Sequence, residues 1–270
     1  MGARNRGIAS TVQSVNQDRI TTRVQLADFK RTNSRIGSAS QQLGAFAADQ
    51  ANAAHRTSLV NRSGQRLTSV TLHNTPEATG LIDRAATSMA REAQLGKSKS
   101  LNAAQRAWLA DIMQPTWSRP THGAAVMGHL QTARRLEESS RVFDTIATAA
   151  QNNFPADFSV VSKRGRVQGL MQSTNLDWAG RQTENTAIGF LGTHPRNIRN
   201  PQRTPGVGTA MIGHARELAR VNNSRAITLG AEGAEAQGFY RHQGFQHEDG
   251  RALQPEHFSH RTLPLKLPLR

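Results

Sequence analysis

"RTPGVGTAMIGHARELAR", Arg203 to Arg220, is the stretch on which the fold of this chain turns. A glycine-rich turn runs straight into a helix. Val207, Met211, Ala215, Leu218 and Val221 recur at gaps of three and four, giving that helix one apolar face. Gly206 and Gly208 keep side chains away from the first-turn N–H groups, which have no partner within a helix. Such an arrangement points a helix N-terminus at an anion, although a lone Gly-x-Gly before a helix also reads as a helix start with a tight turn. Two phosphate cradles do not fit. A dinucleotide-binding turn needs a third glycine where Met211 stands, and a nucleotide P-loop needs Gly-Lys-Ser/Thr. No lysine lies between Lys163 and Lys266.

Outward from the turn, strands and helices alternate. "RAITLG" (225–230) reads as a strand and leads into a helix running through Tyr240. In "EGAEAQGFYRHQGF" (232–245), Ala236, Phe239 and Tyr240 share one face and Gly244-Phe245 follow at once. The tail "HFSHRTLPLKL" (257–267) alternates as a final strand. Upstream, "TAIGFLGTHP" (186–195) is a strand stopped by Pro195, and "FSVVSKRGRVQGLMQST" (158–174) is a hairpin about Gly165. Before these come a strand in "QRLTSVTLHNT" (65–75) and a helix capped by Thr75 with Pro76 in its first turn. That helix carries Leu81, Ile82, Ala85, Ala86 and Met89. A second helix is expected over 100–113, capped by Ser100 or Asn102. A third is expected over 122–150, with Val126, Leu130, Leu136, Phe143 and Ile146 as its apolar positions and Pro115 and Pro120 as breaks before it. The class is mixed α/β.

The chain has 270 residues, enough for one large domain with an appended segment. Residues 1–64 are rich in Gln, Ser, Asn, Ala and Arg and thin in apolar residues. They read as a flexible basic leader ahead of a domain spanning 65–270. Their polar, Ser-rich, acid-poor composition is also that of non-classical bacterial secretion signals. Arginine supplies 29 of the 34 basic residues and the net charge is +15. Arginine-favouring codon usage explains this as well as affinity for nucleic acid, an anionic membrane or an acidic partner does. Aromatic residues are only 5% of the chain, too few for a stacking platform, so specific nucleic-acid binding is not expected. The absence of cysteine excludes disulfides, thiolate nucleophiles and Cys-ligated metal. No apolar run approaches a membrane span, and the N-terminus lacks the apolar centre of a secretory signal. A cytoplasmic location is expected, with export into a host cell as the alternative. His257 and His260 would point to opposite faces of a strand, so no metal site is expected.

Three pieces in order resemble the GCN5-related N-acetyltransferases (GNAT), acyl transferases that use acetyl-coenzyme A. They are the strand "AIGFLGTHP"; Arg203-x-x-Gly206-x-Gly208, similar to the family's pyrophosphate loop; and Ala236-x-x-Phe239-Tyr240-x-x-x-Gly244-Phe245, similar to its following helix. The resemblance covers 186–245 well and the earlier part, from about 65, in outline. It implies a mixed, mostly antiparallel central sheet flanked by helices, here with extra helices at 100–150. It implies that backbone groups of Leu191, Gly192 and Thr193 hold the pantetheine arm as an added strand. N–H groups of Thr204, Gly206, Val207, Gly208 and Thr209 would take the pyrophosphate, with Arg203 and Phe239 also at the coenzyme. Tyr240, the only tyrosine, would protonate the departing thiolate; a phenol with an ordinary pKa of ~10 suits that task. The chain departs from the pattern at Gly233, where the family often has Asn, and at Pro205, which lacks an amide. The extra arginines Arg196, Arg199 and Arg203 could meet the coenzyme's 3′-phosphate or an acidic substrate, or stay solvated.

An amine acceptor must lose a proton. Glu184 is the first candidate base, with Glu232 and His194 behind it, although Glu232 and Glu235 also suit the first turn of a helix. The reading is therefore direct acetyl transfer from acetyl-coenzyme A to an amine of a small molecule or protein in a ternary complex. Two alternatives stay open. One is a secreted bacterial effector acetylating a host protein. The other is a non-catalytic or nucleic-acid-binding module that retains the fold.

Overall fold

Among the described residues, eight strands form one sheet in the order β1-β2-β3-β4-β5-β6-β8-β7, and β5–β6 is its one parallel pair. The strands are β1 (Ala53–Val60), β2 (Arg66–Leu72), β3 (Asp157–Lys163), β4 (Arg166–Leu176), β5 (Gln182–Thr193), β6 (Ala226–Glu232), β7 (Gln246–His247) and β8 (Thr262–Pro268). The computed structural model describes residues 39–113, 121–152, 154–177, 180–259 and 261–269. The expected hairpin is β3–β4, turning at Arg164-Gly165. Both residues have positive φ, 51° and 70°, as a two-residue turn matched to strand twist requires.

Helices cover both faces. A helix over 39–48 (α1), α2 (Pro76–Met113) and α3 (Thr121–Gln151) lie on one face. α5 (Val207–Val221) and α6 (Gly233–His242) lie on the other, and the short α4 (Pro195–Arg199) follows β5. Leu43, Ile82, Met89, Phe143, Ile146 and Leu170 fill the first core, and Met171, Met211, Ile212, Ile227, Phe245 and Leu265 the second. Thr75 caps α2 as expected, its hydroxyl accepting from the Ala78 N–H at 3.2 Å.

Three expectations are corrected here. Residues 76–113 form one continuous helix rather than two. Ser100 and Asn102, the expected caps, lie inside it; Ser98 just before them donates its hydroxyl to the Gln94 carbonyl within the helix, and no proline interrupts the ladder. The apolar positions Val126 and Leu130 are not core positions. Beyond Ala104 on α2 and before Ala133 on α3, no described side chain is buried, and Trp108, Met127 and Leu130 are exposed on a projecting helical arm. The boundary at residue 64 falls inside the β1–β2 turn. α1 places Leu43 and Ala47 in the first core, and β1 pairs with β2 from Ala53 to Val60. A thin apolar pattern was enough here because an edge strand buries little and α1 needs only one narrow stripe. Residues 1–38 of the expected leader, and the breaks at Pro115 and Pro120, lie outside the described residues. Among the described residues, no helix is long and apolar enough to cross a membrane.

Candidate functional site

The site begins where two parallel strands part. β5 and β6 pair from Asn185↔Ala226 to Ile188↔Leu229 and no further, although both strands continue. The register between β4 and β5 slips at this level. Gln172 pairs with Phe190 and Ser173 with Ile188, which leaves Gly189 as a bulged extra residue on β5. Past the bulge β5 stays with β4 through Thr193, and β6 stays with β8 through Glu232. The edge of β5 from Gly189 to Thr193 therefore faces a gap rather than a strand.

That gap opens into a cavity of about 590 Å³. Its walls are β5 (Ile188 to Thr193), the end of β6 (Leu229, Gly230, Glu232), α6 (Glu235, Ala236, Phe239, Tyr240), α3 (Arg135 to Thr145), and Ile198 and Gly208 at one end. Glycine lets the elements meet this closely. A Cβ on Gly208 would sit 2.9 Å from the Phe239 ring, and one on Gly192 would sit 3.0 Å from the Phe143 ring of α3.

The glycine turn forms one end. Gly206 is the N-cap of α5 at φ 81°, in the left-handed region that glycine enters freely. Ala210 makes the first backbone bond back to the Gly206 carbonyl, so Val207, Gly208 and Thr209 occupy the turn whose N–H groups a helix leaves free. Pro205 lacks an amide, but its carbonyl accepts from the Asn61 side-chain amide at 2.7 Å, which ties the turn to the β1–β2 hairpin.

Tyr240 is buried on the cavity wall, edge-on to Phe239 and Phe245 at 5.1 and 5.3 Å between ring centres. Burial pushes its phenol up to about 12, so it keeps its proton at any physiological pH. The neighbouring Gln237 is fully buried. Its amide nitrogen donates to the carbonyls of Arg261 (2.8 Å) and Ser259 (3.1 Å), and its oxygen accepts from the Ser259 N–H at 2.8 Å. One helical turn before Tyr240, this clamp fixes the rotation of α6.

The expected residues divide into three groups. Leu191, Gly192, Thr193, Gly208, Phe239 and Tyr240 line the cavity together. Thr204, Gly206, Val207 and Thr209 belong to the turn at its end, and the Arg203 side chain there is exposed. Glu184 lies elsewhere: it precedes the splay on β5, is 68% exposed and pairs with Arg225 at 2.9 Å. At ~3.3 Å per residue it stands roughly 13 Å before the gap opens.

His194 is not at the cavity either. It caps α4, accepting the Arg196 N–H at 3.3 Å, and burial lowers its pKa to about 4. Arg196 and Arg199 are committed as well. They donate to one oxygen of Glu92, only 1% exposed on α2, at 3.1 and 2.5 Å. Of the three candidate bases, Glu232 alone lines the cavity.

The sequence reading did not foresee the α3 contribution. Arg135 holds Glu235 of α6 through two bonds of 2.6 and 3.1 Å, and Arg141 stands 3.8 Å from Glu232. These pairs span about a hundred residues of chain, and no local spacing announces them. Asn61 was hidden for the same reason. Among the described residues no group of His, Asp or Glu is arranged to hold a metal ion.

No family model and no curated protein matches the sequence. Solved structures do. Nourseothricin acetyltransferase is 21% identical over 44% of this chain and 68% of its own, with a TM-score of 0.32. A GNAT-family acetyltransferase from Desulfovibrio desulfuricans is 14% identical over 51% of this chain and 90% of its own (TM-score 0.36). The PaiA N-acetyltransferase of Thermoplasma acidophilum, solved with coenzyme A, is 11% identical over 64% and 92% (TM-score 0.32). The chain's own topology carries more than these scores: a mostly antiparallel sheet with one parallel pair, a bulge and splay at that pair, and a glycine turn heading the helix between its strands. The architecture is a mixed α/β fold, a mostly antiparallel sheet with helices on both faces.

Proposed function

We propose that the protein is an N-acetyltransferase, with acetyl-coenzyme A as cosubstrate and an amine as acceptor. The observation that carries this reading is the free edge of β5 from Gly189 to Thr193, running from the glycine turn to a buried tyrosine along one cavity. The residues suit the coenzyme. An extended amide-bearing chain finds the outward backbone groups of alternate residues, Leu191 and Thr193, while Gly192 between them pairs with Leu170 of β4. A pyrophosphate finds the N–H groups of the α5 turn. The thioester supplies an activated acetyl group.

The protein's part is to align, to desolvate and to handle protons. The acceptor nitrogen forms its bond to the acetyl carbon as the carbon–sulfur bond breaks. An ammonium acceptor gives up two protons, one before attack and one after, and the thiolate takes one back; one proton is released per turnover. The Tyr240 phenol, held protonated by burial, is suited to supply the thiolate's proton. Glu232, on the cavity wall, is the better-placed of the candidate bases.

Calorimetric titration of acetyl-coenzyme A into wild type and Gly206→Glu tests the assignment. Wild type should bind and the variant should not, because its carboxylate would meet the pyrophosphate at the turn. A Gly206→Ala control separates this from the backbone cost of a side chain at positive φ, about 1–2 kcal/mol. Equal binding by wild type and Gly206→Glu would refute the placement, and no binding by wild type would refute the function.

A further inference from the structure

The cavity has a second end, away from the glycine turn, where α3 crosses above the gap to α6. It carries charge of both signs. Arg135 and Arg141 line it with Glu138, Glu232 and Glu235, and Arg134 joins them in the small pocket beside it. Three positive and three negative groups cancel, on a chain whose net charge is +15. This balance discriminates among acceptors. A polycation would meet one arginine for every glutamate, and a polyanion one glutamate for every arginine, so the rim repels each as much as it attracts it.

The three pairs are not equivalent. Arg135–Glu235 is a two-bond clamp and Arg134–Glu138 a 3.1 Å hydrogen bond along one helix. Arg141 and Glu232 are 3.8 Å apart, beyond hydrogen-bond reach, and each side chain is about two-thirds exposed (63% and 66%). Among the described residues, neither charged group makes a hydrogen bond to another side chain or to the backbone. They come from different elements, α3 and the β6–α6 junction, and both line the cavity. Here a cation and an anion stand side by side with their hydrogen-bonding capacity unspent, with Glu137 of the same helix also near Arg141.

Resting on the acetyltransferase reading, we propose that the acceptor is a free α-amino acid. Its carboxylate takes the Arg141 guanidinium and its ammonium takes Glu232. A guanidinium binds a carboxylate through two parallel N–H donors, and a carboxylate is the natural acceptor for an ammonium. The two ends of an α-amino acid are as close together as the two protein groups that would bind them. Insertion lengthens a contact that is not a hydrogen bond and leaves the Arg135–Glu235 clamp intact. It also sets the ammonium against the wall that holds Tyr240, with Glu232 placed to take its first proton. Acetylation then forms the nitrogen–carbon bond, breaks the thioester and yields an N-acetyl amino acid, free thiol and one proton.

The test follows thiol release from acetyl-coenzyme A with the common α-amino acids and, for each acid accepted, its carboxamide. The amide keeps the amine and removes the negative charge. Wild type should favour an acid over its amide at least tenfold in kcat/KM. In Arg141→Met that ratio should fall to within about twofold while KM for acetyl-coenzyme A is unchanged, and Glu232→Gln should raise KM for acid and amide alike. Acid and amide used equally by wild type, or a preference that survives Arg141→Met, would overturn the proposal. So would turnover only of lysine side chains in peptides, or no turnover of any acid by protein that binds acetyl-coenzyme A in the calorimeter. Failure to bind acetyl-coenzyme A would be a different result, removing the acetyltransferase reading and this proposal with it.

Discussion

Tyr240 shows how much of a residue's chemistry is set by its surroundings. On an exposed helix its phenol would titrate near 10; between Phe239 and Phe245, with little water, it is held to about 12. Tyr240→Phe keeps the ring packing and removes only the proton. We expect kcat to fall roughly 10²-fold or more, the ordinary range for a lost general acid, with KM for acetyl-coenzyme A within about threefold of wild type. The same shift marks stability. Between pH 10 and pH 12 the folded state keeps a proton that the unfolded chain has lost. Stability is therefore full below pH 10 and drains as pH rises toward 12. Thermal melts across that window should show a shallower decline in Tyr240→Phe than in wild type. The position of Tyr240 could be read from the sequence because a helical face and the following Gly-Phe surround it. Its Gln237 support could not, since that glutamine's partners, Ser259 and Arg261, lie in a loop more than twenty residues away.

At the scale of elements, α5 is pinned to the sheet by a polar residue within an apolar face. His214 bonds Thr57 of β1 through Nδ1 and Thr71 of β2 through Nε2, both at 2.8 Å, and Thr71 continues to Ser159 of β3. Burial, with His55 alongside, depresses His214 to about 3. The unfolded chain protonates near 6.5, so this histidine's contribution is complete above that pH and is lost as pH falls toward 3. Melting temperatures measured from pH 7 to pH 4 should fall, and His214→Gln should melt lower at pH 7 but with a flatter acid slope. An unchanged slope would mean that other groups control acid unfolding. Element types were largely legible: the hairpin at Gly165, the glycine turn, α5, β6, α6 and the last strand all follow from local pattern. The continuity of α2 was not, because Ser100 and Asn102 look like caps in one dimension and prove to be helix interior in three. Val221 likewise continues the apolar period of α5, yet it ends the helix exposed.

For the whole molecule, the informative difference concerns where the domain starts. Residues 39–60 supply a helix and an edge strand, and Thr57 on that strand is one of the two partners of His214. Asn61, at the end of β1, holds the carbonyl of Pro205. A chain beginning at residue 39 should melt cooperatively and within a few degrees of the full-length protein. One beginning at residue 65 loses Leu43 from the first core, a partner of His214 and the brace on the glycine turn. It should melt at least 10 °C lower or fail to fold; indistinguishable melts for the two truncations would contradict this account. Composition alone assigned these residues to the leader because it measures hydrophobic content. Their contribution is a few contacts placed at long range.

The parting of β5 from β6 has a mechanical consequence. Among the described residues, four paired positions from Asn185↔Ala226 to Ile188↔Leu229, with one more backbone bond from the Arg225 N–H to the Glu184 carbonyl, join the two halves of the sheet. Every rung past Ile188↔Leu229 belongs to one half or the other. A guest chain laid in the gap would add rungs without displacing any. Its departure would cost the protein none of its own ladder, and the barrier to release would come from the guest's contacts alone. A sheet that parts in this way can take up an extended chain and release it and be the same sheet before and after.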